Sequence, residues 1–317
     1  MSKAFVFPGQ GSQVVGMGKA LAEAFPQARA VLAEVDDVLG QKLSALMFEG
    51  PQDELTLTAN AQPALLAASL AAVRVLEAEA GLDLARDASF VAGHSLGEYS
   101  ALAAAGSLSV GQAAKLLRVR GLAMQDAVPP GEGAMAAVLG LEYDAVLPIA
   151  KQAAQETGNG AVCDVANDNG GGQVVVSGSN AAVQRAMELA KQKGARRSIL
   201  LPVSAPFHCA LMQPAAEAMA EALALAVIKP PCVPLVSNVM AAPVIDPDEI
   251  RRLLVAQVTG RVRWRESMVF MANQGITLFV ECGAGKVLSG LVKRIAEAAS
   301  GISVGIPADI DIYKAQA

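Results

Sequence analysis

A candidate nucleophilic serine, Ser95, lies within the segment Gly93-His94-Ser95-Leu96-Gly97-Glu98. The pattern G-x-S-x-G, placed between an apolar strand and a helix, is typical of a nucleophile elbow. Glycines two residues to either side of the serine would let neighbouring backbone pass close to the turn. The hydroxyl would then stand at the N-terminus of the helix, where main-chain N–H groups can stabilise an oxyanion. The segment therefore predicts covalent catalysis by an activated serine.

A serine hydroxyl needs an adjacent base, and the chain has only two histidines, His94 and His208. Side chains of neighbouring residues diverge at the tip of a sharp turn, so we expect His94 to pack behind the elbow as a structural residue. His208 lies just after the point where the chain is predicted to return from a small domain to the large one, and a cleft is expected between two domains. The order serine then histidine is also that of α/β-hydrolases. The intervening acids Asp144, Asp164 and Asp168 fall within the predicted insert, so we expect a Ser–His dyad without an acid.

Arg120 is the residue that points to a substrate. It lies on a helix predicted over Leu108–Ala127, and the residues three and four positions away are all apolar. This periodicity places Arg120 on the buried stripe of the helix, and a buried guanidinium requires an anion. Two interpretations stay open at this point, an internal salt bridge and a bidentate clamp on a substrate carboxylate.

Composition limits the classes of function. A hydrophobic content of 53%, a net charge of −5 and only 4% aromatic residues predict a large core and no nucleic-acid partner. The four cysteines show no C-x-x-C spacing, which indicates buried free thiols in a reducing compartment and no metal site. The longest apolar stretch, Pro63 to Leu76, is interrupted by Arg74, and the N-terminal apolar run is short. We therefore expect a cytoplasmic protein with no membrane segment.

The elements that must position these residues alternate between strand and helix, which predicts an α/β fold with a parallel sheet covered on both faces. After Pro129-Pro130-Gly131 the pattern changes to the order βαββαβ, as in ferredoxin-like folds. We therefore predict an α/β-hydrolase-like catalytic domain over residues 1–131 and 204–317. A ferredoxin-like subdomain is predicted as an insert at 132–203, and the tail after Ile306 is expected to be peripheral.

Taken together, the motifs resemble those of the malonyl-CoA:acyl carrier protein transacylase family. The resemblance extends from Ala4 to about Ile295 and keeps the family's order of motifs. The matching segments are Phe7-Pro8-Gly9-Gln10-Gly11-Ser12-Gln13, the elbow at 93–98, Arg120-Gly121, Asn167 to Gly178, Pro206-Phe207-His208, Gln257 and Glu281 to Leu288.

The resemblance implies a role for each residue of the catalytic centre. Ser95 would carry the malonyl group as an ester, and His208 would act as its base. Main-chain N–H groups of Gln10 and Leu96 would form the oxyanion hole. The backbone oxygen of Gln257 would orient the imidazole of His208, which accounts for the missing acid.

The resemblance also implies a set of substrate-binding residues. Arg120 would bind the free carboxylate of the malonyl group, and Asn167 and Phe207 would contact the substrate. Many family members have serine where this chain has Phe207, and related polyketide acyltransferases that choose malonyl over methylmalonyl have phenylalanine there. A bulky ring could exclude an α-methyl branch, with discrimination of about 1–3 kcal/mol.

The implied reaction is ping-pong transfer of a malonyl group from malonyl-CoA to the phosphopantetheine thiol of holo acyl carrier protein. Malonyl-CoA would be the substrate, with no permanently bound cofactor or metal, and the enzyme would be a monomer that supplies fatty-acid synthesis. Three alternatives remain open, namely a trans-acting polyketide malonyl acyltransferase, a serine thioesterase or esterase, and a non-catalytic carrier-protein or CoA-binding scaffold. Arg120 and the missing acid argue against the hydrolases.

Overall fold

The computed structural model of the protein describes residues 2–203 and 205–316. Ser204, where we predicted the catalytic domain to resume, lies outside the described residues, as do Met1 and Ala317. The described residues form two separate sheets. The strands are β1 (Lys3–Phe7), β2 (Phe90–Gly93), β3 (Gly133–Leu139), β4 (Cys163–Asp168), β5 (Gln173–Ser179), β6 (Arg197–Leu200), β7 (Leu235–Val236), β8 (Pro243–Val244), β9 (Leu278–Cys282) and β10 (Ser300–Val304).

Helices connect most of these strands and supply the outer layers. They are α1 (Lys19–Ala24), α2 (Pro26–Leu39), α3 (Leu43–Glu49), α4 (Gln52–Thr56), α5 (Thr58–Ala80), α6 (Leu84–Asp87), α7 (Gly97–Ala104), α8 (Val110–Asp126), α9 (Tyr143–Thr157), α10 (Asn180–Gln192), α11 (Gln213–Ala224), α12 (Pro247–Thr259), α13 (Trp264–Asn273), α14 (Val287–Ile295) and α15 (Pro307–Lys314).

The larger sheet has six strands in the order β10-β9-β1-β2-β7-β8. β1 lies near its centre with all five residues buried. The four residues after Lys3 are apolar, as expected for a strand that is covered by helices on both faces. β10, β9, β1, β2 and β7 run parallel, whereas the two-residue β8 pairs antiparallel with β7. The prediction of an α/β fold is confirmed, with the correction that the sheet is mixed and only mostly parallel.

One helix dominates the packing on one face of this sheet. α5 is buried on nearly all sides and packs against α2, α7 and α8. By length and composition its 23 residues are apolar enough to cross a membrane, although 89% of the apolar window is buried inside the fold. The helix extends beyond the apolar stretch from Pro63 to Leu76 at both ends, and it lies in the core.

The smaller sheet belongs to the segment inserted between α8 and α11. Its strands follow the order β4-β5-β3-β6, all antiparallel, and the chain order is β3-α9-β4-β5-α10-β6. α9 and α10 pack against this sheet around a separate apolar cluster that includes Val138, Val146 and Val176. We call this unit the small lobe and the rest of the chain the large lobe.

The two lobes meet along the end of β4. Asn167 forms a parallel bridge with Val262, and the carboxylate of Asp168 is paired with Arg265 at 2.8 Å. Since β4 and the following turn stand beside the elbow, this junction sets the edge of the cleft between the lobes.

Two expectations from the sequence are wrong. The tail is not peripheral, because α15 buries Tyr313, whose ring centroid lies 6.2 Å from that of Phe5. The cysteines are free thiols, but Cys232 is exposed whereas Cys163, Cys209 and Cys282 are buried.

Candidate active site

The elbow at Ser95 has the strained geometry that its glycines allow. The backbone of Ser95 has φ of 54°, in the left-handed region that is costly for a residue with a side chain. A Cβ on Gly93 would lie 1.8 Å from the carbonyl carbon of Gly97, and a Cβ on Gly97 would lie 2.3 Å from the carbonyl oxygen of Phe7. Only glycine fits at both positions, so β1, β2 and α7 can converge on the serine.

His208 lies against the serine. Its Nε2 is 2.7 Å from Ser95 Oγ, and its Nδ1 lies 2.9 Å from the backbone oxygen of Gln257 and 3.1 Å from that of Gly260. Because carbonyl oxygens only accept, Nδ1 must carry the proton, and the lone pair of Nε2 therefore faces the hydroxyl. No acid is needed for this tautomer.

Burial keeps this imidazole neutral. His208 is 3% exposed, and its pKa is lowered to about 3, first by burial and second by the positive charge of Arg120. The two backbone carbonyls oppose the shift. A neutral histidine at physiological pH is able to accept the serine proton.

Arg120 lies beneath the dyad on α8. Its side chain is 1% exposed, as the apolar periodicity of the helix predicts. Among the described residues its hydrogen-bond acceptors are all uncharged: Gln62 Oε1 at 2.9 Å, Gln257 Oε1 at 2.8 Å and Ser95 Oγ at 3.1 Å. Within the described residues Arg120 therefore forms no direct salt bridge, and the carboxyl group of Glu98 acts on it only through space. The guanidinium is able to bind an anion beside the nucleophile.

Three residues without an assigned role in the sequence analysis complete the polar network. Asn238 Oδ1 accepts from Ser95 N at 2.7 Å, and its Nδ2 donates to Gly93 O at 2.7 Å. Glu98 accepts from Asn238 N and from Gln257 Nε2. Gln62 holds Arg120 as described above. A polar residue just after a buried strand was the signal that could have found Asn238, and an amide directly before the long apolar run of α5 was the signal for Gln62.

The dyad opens into a cleft of about 390 Å³ between the lobes. Of the other predicted residues, Gln10, Asn167 and Phe207 line this cleft. Ser95 N is already bonded to Asn238, whereas Leu96 caps α7, and the first N–H groups of a helix have no partner within it. Leu96 N donates no hydrogen bond to any of the described residues.

The ring of His94 is hydrogen-bonded outside the dyad. Its Nε2 lies 2.9 Å from Asn169 Oδ1, and its ring centroid lies 5.6 Å from that of Trp264. Burial lowers its pKa. The contact with Asn169 joins the elbow to the small lobe, which fits the structural role that we expected for this histidine.

The described residues contain no group of three or more His, Cys, Asp or Glu side chains that could hold a metal ion. The chemistry available at the site is that of the serine, the imidazole, the guanidinium and main-chain amides. Such a set suits acyl transfer to and from a serine ester.

The similar proteins and solved structures reported below are all described as acyl transferases that act on malonyl groups. The family model for the acyl transferase domain matches residues 4–305. The malonyl CoA-acyl carrier protein transacylase of Bacillus subtilis strain 168 is 47% identical over 98% of this chain and 96% of that protein. The crystal structure of the acyl-carrier-protein-S-malonyltransferase from Bartonella henselae is 55% identical, with a TM-score of 0.95 over 99% of this chain and 98% of that chain.

A solved complex is similar as well. It contains a holo type II polyketide acyl-carrier protein bound to its malonyl-transacylase, and the similar chain is 42% identical, with a TM-score of 0.95 and complete coverage of both chains. The chain described here therefore belongs to the acyl transferase family, within the group of malonyl-CoA:acyl carrier protein transacylases.

Proposed function

We propose that this protein transfers the malonyl group of malonyl-CoA to the phosphopantetheine thiol of acyl carrier protein and thereby supplies fatty-acid synthesis. The observation that carries the proposal is the buried Arg120, whose acceptors among the described residues are uncharged and which touches the nucleophile Ser95. A malonyl group has a carboxylate for the guanidinium and a thioester for the serine. The names of the similar proteins support the same substrates.

The first half-reaction acylates the serine. His208 Nε2 takes the proton of Ser95 Oγ as the oxygen attacks the thioester carbonyl, and the resulting oxyanion is bound by the main-chain N–H groups of Gln10 and Leu96. The backbone oxygens at Gln257 and Gly260 hold the imidazolium that forms. Collapse of the intermediate breaks the C–S bond, and the CoA thiolate leaves with the proton from His208.

The second half-reaction reverses the roles. The phosphopantetheine thiol of the carrier protein gives its proton to His208 and attacks the ester carbonyl on Ser95 through the same oxyanion hole. The C–O bond then breaks, and Ser95 Oγ recovers the proton. Throughout the cycle Arg120 binds the distal carboxylate, which holds the acyl group in the cleft and favours transfer over hydrolysis.

We further propose that the cleft walls select the acyl group. Phe207 is nearly buried and lines the cleft beside His208, which supports a steric role against an α-methyl branch. Asn167 also lines the cleft, near the end of β4, and this position supports a contact with the acyl chain or the pantetheine arm.

The chain divides into two domains. We propose a hydrolase-like catalytic domain at 1–131 and 204–317 and a ferredoxin-like subdomain at 132–203. The separate apolar cluster of the small lobe and its strand order support this division. We also propose a monomeric protein that works in the cytoplasm, where malonyl-CoA and carrier protein are supplied.

Acyl transfer can be distinguished from hydrolysis directly. With malonyl-CoA and holo acyl carrier protein present, we expect malonyl-carrier protein to form much faster than free malonate. Dominant release of malonate would instead identify a thioesterase. Because one similar structure contains a polyketide carrier protein, transfer should be compared between fatty-acid and polyketide carrier proteins, and a clear preference for the second would assign the polyketide pathway.

A further inference from the structure

Glu98 is a buried carboxyl group that the proposed reaction does not use. It lies in the first turn of α7, three residues after Ser95, and is 1% exposed. Each of its oxygens accepts a hydrogen bond at 2.5 Å. Oε1 accepts from Asn238 N, and Oε2 accepts from Gln257 Nε2. Burial raises the pKa of Glu98 to about 8, whereas the hydrogen bonds from Asn238 N and Gln257 Nε2 and the charge of Arg120 oppose the shift. Because each oxygen faces an N–H donor, the geometry fits the carboxylate form. A carboxylate is costly to bury, so its contacts indicate what it does.

The side-chain amide of Gln257 donates hydrogen bonds at one end and accepts one at the other. Its Nε2 donates to Glu98 Oε2 and, at 2.8 Å, to Ser95 O. Its Oε1 accepts from Arg120 Nη2 at 2.8 Å. Two acceptors at one end and a guanidinium donor at the other leave a single amide orientation in which every group is satisfied.

We infer that Glu98 is a positioning residue that sets the orientation of the Gln257 amide, and through it the placement of Arg120, so that it contributes to selection of a dicarboxylic acyl group. The inference rests on the proposed function, in which Arg120 binds the malonyl carboxylate. It adds a side-chain role for Gln257, whose backbone oxygen serves His208. One residue thereby links the base of the reaction to the carboxylate-binding cation.

A glutamine at position 98 would disturb this arrangement in a defined way. Asn238 N is a fixed main-chain donor, so the carbonyl oxygen of the new amide would turn toward it. The new NH₂ group would then face Gln257, whose amide would have to rotate and present Nε2 to Arg120. Two donors would oppose each other, and the guanidinium would lose one of its supports while Gln62 remains.

The test is a comparison of acyl groups. We would measure kcat/KM for release of CoA from malonyl-CoA and from acetyl-CoA, with the carrier protein as acceptor, in wild type and Glu98→Gln. We expect the malonyl value to fall about 10–100-fold, the range for a lost hydrogen bond to a charged group. The acetyl value should fall much less, because acetyl has no carboxylate, so the malonyl:acetyl ratio drops.

Asp36→Asn provides the matched control. Asp36 is also a buried carboxylate and accepts from Ser44 N at 2.8 Å and Ser44 Oγ at 2.6 Å, but it lies on α2 and has no contact with the dyad. The same change of carboxylate to amide should leave the malonyl:acetyl ratio at the wild-type value. Gln257→Met, which keeps the backbone oxygen and removes the amide, should lower the ratio as Glu98→Gln does, and it carries the test if Glu98→Gln fails to fold.

Arg120→Ala separates failure of this inference from failure of the proposed function. If Arg120→Ala lowers the malonyl:acetyl ratio while Glu98→Gln and Gln257→Met do not, the inference is wrong and the proposed function stands. If Arg120→Ala also leaves the ratio unchanged, the carboxylate-binding role itself is wrong. In the Arg120→Ala background, Glu98→Gln should have no further effect on the ratio, because the residue that it positions is gone.

Discussion

Arg120 Nη2 donates a hydrogen bond to Ser95 Oγ across 3.1 Å, so the buried cation touches the nucleophile itself. A carboxylate bound to Arg120 must therefore lie within a few bonds of the carbonyl that Ser95 attacks. Malonate has one methylene between its carboxylate and its acyl carbon. Under the proposed function, this contact would both select a short dicarboxylic acyl group and place it for reaction.

Loss of the guanidinium should abolish this selection. For Arg120→Ala we expect the transition state for malonyl transfer to lose about 2–5 kcal/mol of stabilisation, as for other truncated charge pairs. The loss would be seen as a lower kcat/KM for malonyl transfer, with acetyl transfer largely retained. Steady-state rates with both thioesters measure the difference. Arg118→Ala is the control, because Arg118 lies on the same helix but is bonded to Gln41 and Asn60. An equal loss with both substrates would make Arg120 a structural residue.

The protonation of His208 can be observed directly, because the chain has only two histidines. Its pKa is lowered to about 3 by burial and by Arg120, so its NMR signals should stay those of a neutral imidazole from pH 8 to about 5. In Arg120→Ala the pKa should rise, since one cause of the shift is removed. A wild-type His208 that titrates near its ordinary value of 6.5 would refute this account of the base.

The same shift has a consequence for stability. The unfolded imidazole binds a proton near pH 6.5, whereas the folded one does so near 3. The unfolded state therefore holds more protons in this interval, and the contribution of His208 to the free energy of unfolding decreases as the pH is lowered through it. Urea titrations of wild type and His208→Gln should differ in this pH dependence, and parallel curves would contradict the shift.

Phe207 should determine whether an acyl group with an α-methyl branch is accepted. Exchange of Phe207 for serine removes a ring from the cleft wall, so methylmalonyl transfer should gain about 1–3 kcal/mol relative to malonyl transfer. Competition between the two CoA thioesters reports the ratio in a single reaction. Malonyl transfer by the variant serves as the internal control, and an unchanged ratio would remove Phe207 from the selectivity determinants.

Asn238 should be essential for the shape of the elbow. It is fully buried and bonds to Ser95 N, Gly93 O and Glu98. Asn238→Leu would leave Ser95 N and Gly93 O without their partner. The free energy of unfolding, measured in urea, should therefore decrease by about 2–4 kcal/mol. Asn180→Ala loses two exposed hydrogen bonds, one donated to Gly131 O and one accepted from Gln184 Nε2, and should cost much less because water can replace both partners. Equal losses would show that Asn238 has no special role.

Three residues of the candidate site could be placed together from the sequence, each for its own reason. Ser95 stands in a five-residue motif, His208 is one of two histidines, and Arg120 falls on an apolar stripe that one helix reveals. The role implied for the backbone of Gln257 came with the family resemblance and has no local pattern.

The side-chain contacts of Gln257 were not predictable from such patterns. Gln257 and Ser95 are 162 positions apart and meet through α12 and the elbow, a contact that depends on the packing of the whole large lobe. The burial of α15 is a similar case, since a short C-terminal helix has no motif and is held by its fit against β10 and α5. β8, with two residues, is too short for an alternating pattern.

Intact-mass spectrometry tests the central claim most directly. Mixed with malonyl-CoA, the protein should gain the mass of one malonyl group, and Ser95→Ala should gain none. Addition of holo acyl carrier protein should return the protein to its original mass and place the malonyl group on the carrier. A protein that acquires no malonyl group, or a malonyl group that the carrier protein does not remove, would contradict the proposed transfer through Ser95.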